Sequence, residues 1–103
     1  MSKEYIVGRI DDIPDKGSVA VKAGRQTIAV FRDGEQVFAI HNMCPHKGGL
    51  MCDGEFEPAN GIVRCPLHLW GWHLERGELE TDPRQQIRTY PVKVVDGEVV
   101  LSA

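Results

Sequence analysis

Two short boxes, each pairing one cysteine with one histidine, constrain this chain more than any other feature. The first box, CPHKGG, begins at Cys44 and places His46 two residues later. The second box, CPLH, runs from Cys65 to His68. Thiolate and imidazole ligands together suit zinc, copper or iron–sulfur centres. The boxes therefore predict a metal centre held by Cys44, His46, Cys65 and His68.

The spacing within the boxes bears on the kind of metal. Structural zinc sites commonly draw on pairs of cysteines and pairs of histidines, whereas each box here supplies one of each. Residues i and i+2 of an extended segment lie roughly 6.5 Å apart at Cα. Two ligands separated in this way bind two different metal atoms more easily than one. A two-iron cluster meets this condition, with Cys44 and Cys65 on one iron and His46 and His68 on the other. A structural zinc module that binds a partner without redox chemistry is the alternative.

The rest of the chain predicts an all-β fold, because short runs of β-branched and aromatic residues alternate with glycine-containing turns. Asp33-Gly34 and Asp96-Gly97 each predict a two-residue hairpin turn. The strands predicted on either side of these turns, and before the first, are Ser18–Val21, Gln26–Arg32, Gln36–His41, Val92–Val95 and Glu98–Leu101. Shorter strands are predicted at Gly61–Cys65, Gly71–Glu75 and Glu78–Glu80.

A length of 103 residues favours one domain, spanning residues 1–103. Both boxes fall in the middle of the chain, while the clearer hairpins lie outside it. We therefore expect an antiparallel sandwich or barrel as the base, with a small inserted subdomain at approximately residues 41–77 that presents the two boxes.

Composition limits the partners and the compartment. A net charge of −3 provides no basic stripe for phosphates, so nucleic acid is not an expected partner. No stretch has the roughly 18 consecutive apolar residues of a membrane helix, and the opening residues do not read as a signal peptide. Three cysteines, an odd number, argue against a secreted disulfide scaffold and favour the cytoplasm.

The two boxes and the residues after them resemble a known family. Cys44-x-His46 followed by Cys65-x-x-His68 resembles the Rieske iron–sulfur motif, in which two histidines replace two cysteines on one iron. The stretches CPLHLWGWHLERGELE and RTYPVKVVDGEVVL are similar to small bacterial Rieske ferredoxins and to the small subunit of assimilatory nitrite reductases. The resemblance implies a Rieske fold and one [2Fe–2S] cluster, with Cys44, His46, Cys65 and His68 as its ligands.

Departures from the high-potential Rieske proteins of respiratory complexes imply a low reduction potential. Those proteins join two further cysteines by a disulfide, at positions that Gly49 and Leu67 occupy here. They also place a serine, which hydrogen-bonds a cluster sulfide, where this chain has Trp70. With fewer hydrogen bonds to sulfur, we expect a potential on the order of −150 mV. Leu69 also replaces a glycine that is common in the small ferredoxins.

The resemblance implies an electron carrier rather than an enzyme. We expect it to pass single electrons from a flavin- or NAD(P)H-dependent reductase to a terminal ring-hydroxylating oxygenase. The alternative partner is the large subunit of a nitrite reductase, with this chain as the small subunit. Transient docking predicts a monomer. His46 and His68 are expected at the exposed tip, within a docking face that includes Pro45, Lys47, Leu67 and Leu69.

The remaining metal-binding and aromatic residues have simpler interpretations. Cys52, His41 and His73 are interpreted as structural or surface residues, since four ligands already complete the cluster. Trp70 and Trp72 are expected to support the second box with apolar mass. An acidic patch, formed by Glu75, Glu78, Glu80 and Asp82, is interpreted as a solvated turn, with a basic partner as the other possibility.

Overall fold

Strands make up nearly all the regular structure of the chain. The computed structural model describes residues 3–43, 50–66 and 70–103, and within them the chain forms strands and two 3-10 helices, Ile10–Asp12 and Met51–Asp53. This confirms the predicted all-β fold. The strands are β1 (Glu4–Arg9), β2 (Ser18–Ala23), β3 (Gln26–Asp33), β4 (Gln36–His41), β5 (Glu55–Glu57), β6 (Ile62–Arg64), β7 (Gly71–His73), β8 (Glu78–Leu79), β9 (Asp82–Gln86), β10 (Thr89–Tyr90), β11 (Val92–Val95) and β12 (Glu98–Ser102).

The strands form three antiparallel sheets within the described residues. The terminal sheet has the order β1-β12-β11 and therefore joins the two ends of the chain. The central sheet has the order β10-β4-β3-β2. The third sheet, β5-β6-β7-β8-β9, is a meander made of consecutive strands from the middle of the chain.

Strand β3 is buried on both faces and separates two hydrophobic cores. Ile28 and Val30 point into one core, which also contains Val99 and Leu101 of the terminal sheet. Ala29 and Phe31 alternate with them and point into the other core, which contains buried residues of the meander. Side chains alternate across a strand, so this continuous apolar run covers both faces at once. The central sheet is therefore the shared wall between the base and the part of the chain that carries the boxes.

The two predicted hairpins are present, but one turn differs from its prediction. Asp96 and Gly97 have φ values of 51° and 81° and connect β11 to β12, which confirms the predicted turn with positive φ at both central residues. In the first hairpin Asp33 pairs with Gln36, so the central residues are Gly34 and Glu35. The prediction that Asp33 occupies a turn position is therefore wrong by one residue. Asp33 extends β3 instead, and Gly34 alone supplies the positive φ, at 62°.

The sequence did not predict four of the observed strands. They are β1, β5, β9 and β10. Strands β1 and β9 show why such strands are hard to predict. Strand β1 shifts register between Ile6 and Gly8, and this irregularity interrupts its alternation. Strand β9 contains Pro83, which is tolerated because β9 is an edge strand. The meander continues to Gln86, beyond the predicted limit of the inserted subdomain at residue 77, and the division into subdomains itself stays a prediction.

Among the described residues, neither of the two 3-10 helices has the length and apolar character needed to cross a bilayer.

Gly77 provides a test of how tightly the meander is closed. Its φ is 76°, and a Cβ at this position would lie 2.2 Å from the carbonyl oxygen of Ile87. We expect Gly77→Ala to lower the free energy of unfolding by about 2–4 kcal/mol, because left-handed strain and a backbone clash add together. Urea denaturation followed by circular dichroism measures this change.

Gly34→Ala is the matched control for this substitution. Gly34 has a similar φ of 62°, but a Cβ there would meet nothing within 4 Å. Its cost should be about 1–2 kcal/mol, from left-handed strain alone. Equal costs for the two variants would contradict the proposed clash at Gly77.

Candidate metal centre

The second box begins where the hairpin of β6 and β7 opens. Cys65 follows β6 directly, and its backbone N–H donates to the carbonyl oxygen of Trp70 at 2.9 Å. This bond holds Cys65 and Trp70 opposite each other at the end of the β6–β7 ladder. The side chain of Cys65 is fully buried. The box therefore starts on a rigid strand end, with its cysteine facing the core.

A backbone bridge joins the residues on either side of the first box. Strand β4 ends at His41, and two residues later Met43 forms an antiparallel bridge with Leu50. This bridge places the residue before the first box next to the residue after it. Met51 follows Leu50 and is completely buried in the same core cluster as Cys65. The outgoing end of the first box and the incoming end of the second are thus anchored in one core.

Asn42, two residues before the first box, hydrogen-bonds to the central sheet and to the segment after the box. It is the one buried polar or charged residue among those described. Its backbone N–H donates to Thr27 at 3.0 Å, and its carbonyl oxygen accepts from Met51 at 2.6 Å. Its side-chain oxygen accepts from the backbone N–H of Cys52 at 2.9 Å. Sequence reasoning missed this residue, although an asparagine between a strand and a loop is a typical local backbone cap.

Three of the four predicted ligands, Cys44, His46 and His68, lie outside the described residues, and only Cys65 can be placed. Within residues 3–43, 50–66 and 70–103, no three histidine, cysteine or acidic side chains gather as a metal site. Gly49, Pro45, Lys47, Leu67 and Leu69 also lie outside the described part. The complete ligand set therefore stays a prediction.

Trp72 contributes a buried polar atom next to the one placed cysteine. Trp72 pairs with Val63 in the β6–β7 ladder, and the bond from Cys65 to Trp70 continues that ladder. Alternation puts Val63, Cys65 and Trp72 on the same face, with Cys65 and Trp72 as diagonal neighbours. The Trp72 ring is 1% exposed. Its indole N–H has no hydrogen-bond partner among the described residues, which is rare for a buried donor.

The residues present fit an iron–sulfur centre at this end of the meander. Cys65 offers a buried thiol, and the Trp72 N–H offers an unused donor on the same face of the sheet. Iron–sulfur clusters take thiolate ligands and accept hydrogen bonds at their sulfur atoms. Trp72 lies in the core cluster that contains Cys65, and Trp70 packs against it; that the two tryptophans support the second box stays a prediction.

A charged cluster next to Cys65 joins β5, β6 and the turn that follows β8. Arg64 donates from Nε to Glu57 at 2.6 Å and from Nη1 to Glu80 at 3.0 Å. The bond from Arg64, followed by one from Asn60, holds the pKa of Glu57 below its usual value. The bond to Glu57, followed by the bonds to Glu80, raises the pKa of the Arg64 guanidinium. The cluster carries two negative charges and one positive charge, and it is partly exposed.

The residues predicted to lie outside the ligand set are distributed over the surface of the fold. Cys52 is half-buried and packs at the edge of the core, and it does not form a disulfide with Cys65. His41 and His73 are half-buried on β4 and β7. The predicted acidic patch is partly neutralised by arginines, since Glu78, Glu80 and Asp82 pair with Arg76, Arg64 and Arg84. The bond from Arg84 also lowers the pKa of Asp82.

Comparison with known proteins identifies relatives over most of the chain. The Rieske [2Fe–2S] domain family matches residues 3–91. The ferredoxin subunit of anthranilate 1,2-dioxygenase from Burkholderia cepacia is 36% identical over 100 residues, covering 96% of this chain and 91% of that protein. The large subunit of nitrite reductase [NAD(P)H] from Klebsiella oxytoca is 34% identical over 96 residues, covering 87% of this chain but 10% of that protein.

A solved structure shares the whole fold. The ferredoxin of carbazole 1,9a-dioxygenase from Nocardioides aromaticivorans IC177 superposes with a TM-score of 0.90 and is 26% identical. The match covers 97% of each chain. Both the base and the meander therefore have counterparts in that protein.

The side chain of Asn42 can be tested separately from any metal. We expect Asn42→Ala to lower the free energy of unfolding by about 1–3 kcal/mol, because the Cys52 N–H loses its acceptor in a partly buried position. Urea denaturation followed by circular dichroism measures this. Asn60→Ala is the control, since Asn60 is exposed and its bond to Glu57 is longer, at 3.3 Å; its cost should stay within about 0.5 kcal/mol. Similar costs for both variants would contradict the role of Asn42.

Proposed function

This chain belongs to the Rieske [2Fe–2S] domain family, and we propose that it is the one-electron carrier of a ring-hydroxylating oxygenase system. The carrier takes electrons from a flavin- or NAD(P)H-dependent reductase and delivers them to the terminal oxygenase. The observation that carries this proposal is the match to a dioxygenase ferredoxin along 91% of that ferredoxin's length. Such subunits transfer electrons and do not themselves catalyse the hydroxylation.

We propose that Cys44 and Cys65 bind one iron and that His46 and His68 bind the other. A [2Fe–2S] cluster supplies one-electron oxidation and reduction when it is bound. Cys65 supports this assignment, because its thiol is buried at the strand end where the second box begins. The hydrogen bond to Trp70 and the bridge between Met43 and Leu50 hold the ends of both boxes. These contacts hold the residues that flank both boxes before the metal arrives, and a pre-formed support of this kind favours electron transfer with little rearrangement.

The proposed reduction potential is near the low end of the Rieske range, on the order of −150 mV. Trp70 stands where high-potential members carry a serine hydroxyl, and Gly49 and Leu67 stand where they carry a disulfide. Both differences remove features that stabilise the reduced, more negative state. A low potential suits a carrier between a nicotinamide-linked reductase and an oxygenase.

The proposed docking face adjoins the first box and binds the terminal oxygenase. Met43 and Leu50 flank the box, pair with each other, and are 51% and 45% exposed. With His41 and Arg25 they line an apolar depression of about 420 Å³. Electron transfer requires a short path from the cluster to the acceptor, so the apolar surface beside the ligands is the favoured contact. We expect a transient complex, a monomeric carrier and a cytoplasmic setting.

A second candidate function is the fixed [2Fe–2S] subunit of a nitrite reductase. The similarity to a nitrite reductase large subunit favours it specifically, because the matching segment is 10% of that protein and is therefore joined to the rest of it in one chain. The two functions differ in how strongly the chain is held by its partner.

The ligand assignment predicts the behaviour of two histidine variants. His68→Ala should abolish the Rieske electron paramagnetic resonance signal after anaerobic reduction, because one iron loses a nitrogen ligand. His73→Ala and Cys52→Ser should keep the signal, since both residues lie outside the ligand set. An unaltered signal in His68→Ala would overturn the assignment. A colourless protein containing one zinc would instead support the structural zinc module.

The partner can be tested by recovering the tagged holoprotein from its native host at increasing salt. For a transient carrier, we expect an oxygenase component, identified by mass spectrometry, to be retained at low salt and lost by about 0.5 M. The interface is small, and salt screens the contribution of charged side chains beside the apolar face, such as Arg25. The isolated component should also reoxidise the reduced carrier. Stoichiometric, salt-resistant recovery of a nitrite reductase large subunit would overturn the carrier in favour of the fixed subunit.

The docking face has its own matched control in the same experiment. The double variant Met43→Ser, Leu50→Ser should slow reoxidation by the oxygenase component about tenfold, because apolar contact area is lost. Ile6→Ser should leave the rate unchanged, although Ile6 is 67% exposed, because it lies on β1 in the terminal sheet. Equal rates for the two variants would overturn the proposed face.

A further inference from the structure

The buried indole N–H of Trp72 is the feature that the proposed function does not yet use. It has no acceptor among the described residues, and those residues include Cys65 on the same face of the sheet. Leaving a buried donor unsatisfied costs about 1–3 kcal/mol. The core around Trp72 is otherwise apolar, with Met51, Val63 and Leu74 among its members. A purely apolar aromatic ring such as phenylalanine would carry no unsatisfied donor into this core.

We infer that Trp72 is a positioning residue whose N–H donates a hydrogen bond to a sulfur of the bound cluster. This inference rests on the proposed function, because the acceptor arrives with the cluster. Cys65 brings the cluster to this face, and Trp72 is its diagonal neighbour across the β6–β7 ladder. The donor is held rigidly, since the ring is 1% exposed and packed on a strand.

The bond would act on the two oxidation states unequally. Reduction adds one negative charge to the cluster, and a hydrogen bond to a charged acceptor is stronger than one to a neutral acceptor. The Trp72 N–H therefore favours the reduced state. It provides one donor at a site where Trp70 has replaced the serine of high-potential relatives. The potential then stays low, but higher than it would be without Trp72.

Isotope labelling tests this contact without changing the fold. The chain contains two tryptophans, so the variant Trp70→Phe with ¹⁵N-indole tryptophan reports on Trp72 alone. We expect the reduced holoprotein to show a ¹⁵N and an exchange-resistant proton hyperfine coupling in electron–nuclear double resonance spectra. The proton should survive a short exposure to D₂O because Trp72 is buried. A normal Rieske signal without these couplings would overturn the inference, and would indicate a buried water as the acceptor.

Substitution gives an independent measure. Trp72→Phe keeps an aromatic ring but removes the N–H, so the ratio of reduced to oxidised protein at a fixed ambient potential should fall about tenfold. For one electron this corresponds to a shift of about −59 mV. Trp70→Phe is the control, with a shift several times smaller. Equal shifts in the two variants would overturn the inference, whereas loss of the cluster in the unmodified protein would be a failure of the proposed function.

Discussion

Burial of β3 on both faces is the constraint on which the rest of the structure depends. Ile28 and Val30 bury against the terminal sheet, and Ala29 and Phe31 bury against the meander. Burial of Ile28, Val30 and Phe31 contributes about 1.5–3 kcal/mol for each side chain, and one neighbouring sheet cannot cover both faces of the strand. The strand therefore requires a layer on each side. The chain supplies one layer from its two ends and the other from its middle.

This arrangement explains why the site can be both anchored and accessible. The meander rests on the central sheet through Phe31, which packs against Phe56 with ring centroids 5.2 Å apart and the rings tilted by 58°. Strand β4 continues from the central sheet directly into Asn42 and the first box. The second box leaves the meander at Cys65. The residues that lead into the two boxes thus belong to two different sheets, and one core lies between those sheets.

The sequence predicted the parts of this structure that local chemistry determines. Asp96-Gly97 is a turn because both residues accept positive φ, and the apolar run of β3 is a strand in almost any context. The Asp33-Gly34 turn was misplaced by one residue because register depends on how β3 and β4 pair over their whole length. Strands β5 and β9 were missed for a similar reason. Their residues are largely polar, and they become strands by completing a sheet that other strands begin.

In the candidate site, too, the features set by local sequence could be predicted and those set by distant contacts could not. The two boxes predict a cluster because ligand type and spacing are local properties, and family membership is consistent with them. The roles of Asn42 and Trp72 could not be predicted, since each depends on contacts between distant segments. Asn42 matters because Thr27 and Cys52 lie on either side of it. In the sequence, a tryptophan four residues after a predicted ligand indicates only a bulky side chain. Its role as a hydrogen-bond donor follows from the structure, in which its N–H is buried without an acceptor among the described residues.

The charges around Cys65 also bear on the potential. Arg64 is the residue immediately before Cys65, and an unpaired guanidinium there would favour a reduced, more negative cluster. Glu57 and Glu80 both accept hydrogen bonds from Arg64, however, so the group as a whole carries a net charge of −1. The positive charge closest in sequence to the placed ligand is therefore offset by the fold itself. We therefore expect the Arg64 group not to raise the potential, so that a short-range donor such as the proposed Trp72 N–H has more effect on it.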